Sequence, residues 1–356
     1  MMKVAKKFQV IECKGTPYQI GLQWGEGCKE SINKAMELTF GGLSYVNNTT
    51  KEDVISNALK FLPKVKNFDP DLIEMIKGQA DGAGISFEEA FALKCGLDLG
   101  TYYNNLSSLC TSFAATGKAT ENGKTVLGQN IDWFPGTPLD LIKIIHSDGS
   151  KQLSLVLWGI IEYTLSSNGY GICANGTWAN IDKYLFNIPL GCYVPKAMRQ
   201  KTMDYAMEIL RTNARGLGYY HLASAENKIM GIESTQNDYE ILSPENDVLV
   251  HANHYLTDRF KKIDAVNLVV PDSLTRVETI NQLINERYGE INPAIMMAIL
   301  SDHNDYPISI CRHVDETKPI QFHSETLASF IMVPEDKKMY IAYGNPCQYK
   351  YIEYRL

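Results

Sequence analysis

The sequence predicts an α+β protein in which helices cover antiparallel sheets. Three observations predict it. Helix-capping signals crowd the first 109 residues, strand-like runs follow one another from Cys110 onward, and helix-like segments interrupt those runs.

The chain opens with a short strand-like stretch, FQVIEC, and a turn in GTPYQIG. Thr50 followed by Asp53 reads as a capping box for KEDVISNALKFL. Asp69-Pro70 sets an N-cap before a proline at the first helical position, leading into DLIEMIKGQA. Ser86 with Glu89 is a second capping box, for FEEAFALKCG. Apolar residues recur at helical spacing, as in Leu72, Ile73, Met75 and Ile76. This region ends in a polar stretch, TYYNNLSSL. CTSFAAT, TVLGQNIDW, LDLIKIIHS, LSLVLWGI and GICANGTWA then read as strands, and PKAMRQKTMDYAMEILRT as one helix. GYYHLASAEN, IMGIES, YEILSP and DVLVHANHYL read as further strands, followed by helices in TRVETINQLINERY and NPAIMMAILSDH. ISICRHV, TLASFIMVP and KKMYIAYG read as closing strands. There is no fixed-period repeat and no low-complexity segment.

The first hairpin turns at Glu121-Asn122-Gly123, since Asn-Gly is a strong hairpin signal. A two-residue loop would put Asp132 across from Phe113, on the opposite face from Cys110. A three-residue loop with Gly123 in the left-handed position would put Asp132 across from Ser112, on the face of Cys110 and diagonal to it, about 7–8 Å away. The second register is the one that makes a site.

Composition narrows the functional classes. The 356 residues carry 45% hydrophobic and 21% charged side chains, ordinary for a globular protein. A net charge of −7 argues against a nucleic-acid or anionic-membrane partner, and the basic runs, such as Lys261-Lys262, are short. The N-terminus has no apolar signal region and no run approaches a membrane span, so a cytoplasmic protein is expected. The sequons at Asn47, Asn48, Asn105 and Asn175 carry little weight without a secretory signal. Eight cysteines, at 13, 28, 95, 110, 173, 192, 311 and 347, form no CxxC pair. Most read as buried thiols acting as small hydrophobes.

Cys110 stands at the head of a strand, behind what looks like a separate unit. If the bond before it is cut, the cysteine becomes N-terminal and carries its own base. An α-amino group has a pKa of about 7.7–8.0, near working pH, and can take the thiol proton directly or through water. The thiol can make the cut itself by attacking the carbonyl of Leu109 to give a thioester that water opens. Composition alone leaves a buried structural thiol as the alternative.

CTSFAATGKATENGKTVLGQNIDWF resembles the nucleophile hairpin of the acyl-CoA:6-aminopenicillanic acid acyltransferase (isopenicillin N acyltransferase) family, the C45 group of N-terminal nucleophile hydrolases. GTPYQIGLQWG, NGYGICANG, HLASAENKIMGIES, VLVHANHYL and DHNDYPISICRH resemble further family motifs in the expected order, so the resemblance covers nearly the whole chain. It extends more distantly to the bile-salt and penicillin V amide hydrolases. The resemblance implies a four-layer αββα sandwich of two antiparallel sheets. It implies a self-cut between Leu109 and Cys110. Residues 1–109 would be a mostly helical small chain packing on the catalytic part. Residues 110–356 would be the large chain, and both would form one structural domain and stay associated. Carried over by position, Cys110 is the nucleophile and Asp132 holds its freed amine. Asn253 donates to the oxyanion. Arg312 binds a substrate carboxylate or supports Asp132.

The implied function is amide hydrolysis or acyl transfer on linear amides, N-acyl amines or N-acyl amino acids, through a thioester acyl-enzyme. Acyl-CoA would be a further substrate if transfer occurs. No external cofactor is expected. Leu109 stands where the family's penicillin enzyme has glycine, which motivates an alternative: a non-catalytic binding protein that keeps the fold uncut. Other readings lag. NGKT lacks the glycine spacing of a phosphate loop. His251 with His254, or His303 with Asp302 and Asp305, could suggest a metal, but strand alternation would send the first pair to opposite faces. No metal is expected.

Overall fold

The computed structural model describes residues 6–103, 110–179, 184–213, 218–236, 238–266 and 270–356. The front region supplies strand β1 (Val10–Lys14) and helices α1 (Pro17–Gly27), α2 (Lys29–Asn47), α3 (Lys51–Leu59), α4 (Leu62–Phe68), α5 (Pro70–Ala83), α6 (Phe87–Lys94) and α7 (Gly96–Tyr102). The expected caps form: the Thr50 and Ser86 side chains accept from Asp53 and Glu89 in capping boxes, and Asp69 accepts from the Leu72 N–H ahead of α5.

From Cys110 onward come β2 (Thr111–Gly117), β3 (Gly123–Trp133), β4 (Leu139–Ile145), β5 (Lys151–Leu157), β6 (Ile161–Ser166) and β7 (Tyr170–Gly176). Helices α8 (Leu190–Met198) and α9 (Met203–Asn213) follow, then β8 (Gly218–Ser224), β9 (Ile229–Ser234), β10 (Tyr239–Leu242) and β11 (Val248–His251). The chain continues through α10 (Asp258–Lys261), α11 (Ser273–Glu286), α12 (Pro293–Leu300), β12 (Glu325–Val333), β13 (Lys338–Tyr343) and β14 (Ile352–Arg355).

Eight strands form one sheet in the order β1-β4-β5-β6-β7-β8-β9-β10, and six form a second in the order β11-β2-β3-β12-β13-β14. The sheets face each other, with β2 and β3 packing on β7 and β8. Tyr163 of β6 lies 5.3 Å ring to ring from Phe330 of β12 in the shared core. Helices α11 and α12 cover the outer face of the six-stranded sheet through Val277, Ile280, Met296 and Leu300. Helices α8 and α9 cover the outer face of the other sheet, and α6 joins them there through Lys94 and Glu162. The four layers are thus helix, sheet, sheet, helix. Because β2 and β3 are roofed on both sides, they are buried almost end to end.

The structure corrects several sequence expectations. The eight-stranded sheet is not purely antiparallel, since β1 pairs parallel to β4 at its edge. LSLVLWGI does not continue as one strand. Trp158 and Gly159 both take positive φ, 58° and 67°, and turn the chain into β6. Trp158 is held in that costly conformation for a bulky residue by an Nε1–H bond of 3.1 Å to the Ala35 carbonyl in α2. The long helix predicted from Pro195 is two helices, because Thr202 caps α9 by accepting from the Tyr205 N–H. ISICRHV is an irregular segment rather than a strand. Its backbone is held by side chains as well as by neighbouring main chain: the Arg312 N–H donates to Thr326 Oγ1 at 2.9 Å, and Asn345 Nδ2 donates to the Arg312 carbonyl at 2.7 Å. Among the described residues, no helix is long and apolar enough to cross a membrane.

Candidate active site

The hairpin of β2 and β3 takes neither expected register. Thr111 pairs with Asn130 and Ser112 with Gln129. Gly117 and Gly123 close a longer connection, both at positive φ, and a bulge between Ala115 and Gly117 absorbs the offset. The Asn-Gly turn signal was diluted by tertiary contacts, because Thr120 bridges to Ile291 and the Lys118 N–H donates to Asp247. Asp132 therefore pairs with Thr326 of β12, not with Ser112. By strand alternation it shares the face of Thr111 and Asn130, whereas Cys110 shares that of Ser112 and Gln129.

Cys110 is fully buried at the head of β2. Its thiol lies in the space between the sheets, against the Tyr163 hydroxyl and near Cys173. Burial, and then the Cys110 thiol beside it, push the Tyr163 hydroxyl well above its ordinary pKa, so it stays a neutral donor. Leu109 lies outside the described residues.

On the other face runs a continuous polar network. The Arg276 guanidinium, on α11, donates from Nη1 to the Cys110 carbonyl at 3.0 Å and to Thr111 Oγ1 at 2.5 Å. Its Nη2 donates to Asn253 Oδ1 at 2.7 Å, and its Nε donates to Asp272, one turn earlier, at 2.7 Å. Asp272 also pairs with Arg312. Arg312 Nε in turn lies 3.8 Å from Asp132 Oδ2.

Each member is fixed from behind. Asn253 donates from Nδ2 to the Gly176 carbonyl at 2.9 Å, and its backbone N–H donates to Ser273 Oγ at 2.7 Å. Asp132 Oδ1 accepts from the Thr326 hydroxyl at 2.6 Å. A bulge in β12 between Thr326 and Ala328 aims that hydroxyl.

The electrostatics differ between the two acids. Burial drives the Asp132 carboxyl up to about 6, against the pull of Arg312 and Arg276. Burial also works against the Asp272 carboxylate, but Arg276 and Arg312 outweigh it and hold its pKa below the usual carboxylate range. Asp132 Oδ2 and Arg312 Nε are buried without hydrogen-bond partners among the described residues. Asp132 thus keeps an unused acceptor, which is costly unless something donates to it.

The structure joins Asp132, Asn253, Arg312 and the Cys110 backbone in one network, with the Cys110 thiol on its far side. Sequence reasoning missed Arg276, Asp272 and Tyr163. Asp272 and Arg276 are an i, i+4 pair, which in isolation reads as a surface helix pair; here Arg276 is only 2% exposed. Between the layers, Leu97, Trp133, Ile161, Leu190, Tyr219 and Tyr220, with residues 174–176, line a largely apolar pocket.

Of the histidines read as possible metal ligands, His251 and His254 are otherwise engaged. His251 ends β11, so alternation does not separate it from His254, and their rings lie 6.5 Å apart. His251 Nε2 contacts Glu233 at 3.0 Å and His254 Nδ1 contacts Ser273 at 2.8 Å.

Comparison with known proteins completes the picture. An acyl-coenzyme A:6-aminopenicillanic-acid-acyltransferase of Emericella nidulans is 24% identical over 341 residues, covering 94% of this chain and 92% of its own. An uncharacterized protein of Archaeoglobus fulgidus is 20% identical, and the match covers 80% of this chain but 56% of that protein. Among solved structures, a mutant conjugated bile acid hydrolase from Clostridium perfringens is 11% identical with a TM-score of 0.44, over 69% of this chain and 97% of that one. Penicillin V acylase from Agrobacterium tumefaciens is 14% identical with a TM-score of 0.45, over 66% and 83%. Residues 119–348, which hold Asp132, Asn253, Asp272, Arg276 and Arg312, match the acyl-coenzyme A:6-aminopenicillanic acid acyl-transferase family. With more than half of its length matched, this chain belongs to that family of enzymes acting on amide bonds.

Proposed function

We propose that the chain is a self-processing N-terminal cysteine amide hydrolase with acyltransferase capacity, acting on linear amides through a thioester acyl-enzyme. The observation that carries this reading is Arg276, which binds the Cys110 carbonyl and the Asn253 amide at once. One buried cation thereby fixes the nucleophile's backbone relative to a side-chain amide donor.

In this reading the Cys110 thiol attacks the Leu109 carbonyl, an N-to-S acyl shift frees the α-amine, and water opens the thioester. Residues 1–109 become the small chain and residues 110–356 the large chain. The new α-amine then serves as base, and the unused Oδ2 of Asp132 accepts from it. In turnover, Cys110 attacks the substrate carbonyl while Asn253 steadies the oxyanion. The amine leaves with a proton from the α-ammonium, and water or a second amine takes the acyl group. Arg312 supports Asp132 rather than meeting substrate, since Asp272 already occupies its guanidinium.

The test is incubation of wild type and Cys110→Ala with a series of N-acyl amines and N-acyl amino acids, with and without acyl-CoA. Acid quenching should trap an acyl adduct on the fragment beginning at Cys110, and free acid should appear faster than new amide. New amide formed faster than free acid would make transfer the main activity. No adduct and no turnover across the series would overturn the reading.

A further inference from the structure

Around Arg312, four soft ligand side chains converge. His303, Cys311, His313 and Cys347 each present one donor atom, and the four atoms lie within 4.8 Å of one another. His313 Nε2 is 3.0 Å from His303 Nε2, 3.4 Å from Cys347 Sγ and 3.7 Å from Cys311 Sγ. A tetrahedron built on Zn–N bonds of about 2.0–2.1 Å and Zn–S bonds of about 2.3 Å has edges of about 3.3–3.8 Å. The three separations from His313 match those edges within a few tenths of an ångström, and the other three lie within 4.8 Å. Hydrogen bonding accounts poorly for the cluster, because one imidazole nitrogen has a single hydrogen or a single lone pair to share among three neighbours.

We propose that His303, Cys311, His313 and Cys347 form a tetrahedral structural site for a zinc-class divalent ion. Two sulfur and two imidazole ligands select Zn over the oxygen-loving Mg and Ca. Four protein ligands leave no open position, which marks a structural rather than a catalytic site. Two thiolates balance the dication, and each thiol releases its proton to solvent on binding. The neutral centre suits its position, with Cys311 buried and the other three ligands half-buried.

The site's place in the fold gives it a task. Cys311 and His313 flank Arg312, while Cys347 lies beyond β13, beside Asn345, which already donates to the Arg312 carbonyl. A bound ion would staple these two segments and hold the backbone that carries Arg312.

The test uses full-length protein, purified reduced and dialysed against a weak chelator. Elemental analysis should find about one zinc per chain. Replacement with Co(II) should give thiolate charge-transfer absorption and the visible bands of tetrahedral cobalt. Cys347→Ser and His303→Ala, both at partly exposed positions, should each cut retained zinc at least tenfold, while Cys13→Ala keeps it. Removing zinc from wild type with a strong chelator should raise amide exchange across residues 302–313. Folded, reduced wild type with less than a tenth of a zinc per chain and a cobalt spectrum lacking thiolate bands would overturn the proposal. So would variants that keep zinc as wild type does, or a Cys311–Cys347 disulfide in freshly purified, zinc-free protein.

Discussion

At the residue scale, the proposed chemistry depends on groups positioned by one guanidinium. Arg276 makes bonds to Cys110, Thr111, Asn253 and Asp272 that a lysine cannot make together. Arg276→Lys should keep the fold, with thermal midpoint shifted by only a few degrees, yet lower kcat by about 10²-fold with KM nearly unchanged. A merely structural role would move the midpoint instead. Asn253→Ala should lower kcat by about 10²–10³-fold, the usual cost of one oxyanion donor.

Asp132 supplies a pH signature. Its carboxyl is raised to about 6 in the folded chain, with Arg312, Arg276 and Asp272 the charged groups around it and Thr326 donating to it. An unfolded Asp titrates near 3.9, so between about pH 4 and 6 the folded state binds the extra proton. Raising the pH through that window therefore lowers stability, by about 2–3 kcal/mol for a shift of this size. In an uncut Cys110→Ala background, denaturant titrations at about pH 4 and pH 7 should show this loss, and Asp132→Asn should remove most of it. A difference between the two proteins that does not change with pH would contradict the assignment.

At this scale the sequence was legible where motifs carry chemistry. Cys110, Asp132, Asn253 and Arg312 each sit in a stretch with family character, and three of them meet in one network. Arg276 and Asp272 were not legible, because their importance comes from burial against β2. The face of Asp132 was misread because hairpin length depended on contacts from Ile291 and Asp247, far along the chain.

At the element scale, the tightest packing joins α1 to α5. Gly21 and Gly25 on one helix face Gly78 and Gly82 on the other. A Cβ at Gly78 would stand 2.0 Å from the Tyr18 carbonyl oxygen, and one at Gly25 would stand 2.3 Å from that of Gln79. These backbones touch because no side chain intervenes. Gly→Ala inside a helix ordinarily gains about 0.5–1 kcal/mol. Here Gly78→Ala should instead destabilise by about 1–3 kcal/mol, the range for overpacking, as read from a denaturant midpoint. A gain in stability would show that the helices separate at no cost. The Asp69-Pro70 cap made α5 legible, whereas GTPYQIG reads as a turn and instead opens α1 through a Thr16–Gln19 capping box; the glycine pairs show their purpose only in three dimensions. Thr202 and the Trp158-Gly159 turn, by contrast, carry local signals that outweigh helical and strand-like runs around them.

At the scale of the whole molecule, the front region is woven into the rest. β1 adds an edge to the large sheet, and Phe8 stacks on Tyr343 at 4.3 Å. Asp69 pairs with Arg199, and Ser31 donates to Asp140 at 2.6 Å. Lys94 of α6 and Glu162 of β6 form an ion pair 3% and 4% exposed, with Lys94 Nζ 4.5 Å above the Trp24 ring. Lys94→Met alone would leave Glu162 uncompensated and should cost about 3–5 kcal/mol, whereas adding Glu162→Leu should recover most of the loss. The same contacts predict that the two chains co-purify after a cut.

In the proposed mechanism, Cys110 becomes an N-terminal nucleophile by its own action. Intact mass under denaturing conditions, on fresh wild type beside Cys110→Ala, tests it most directly. Wild type should give fragments of about 12 and 28 kDa, scaled from chain length, the larger beginning at Cys110, and the variant one 40.0 kDa chain. A single uncut chain in both samples would remove the α-amine from the mechanism and contradict it.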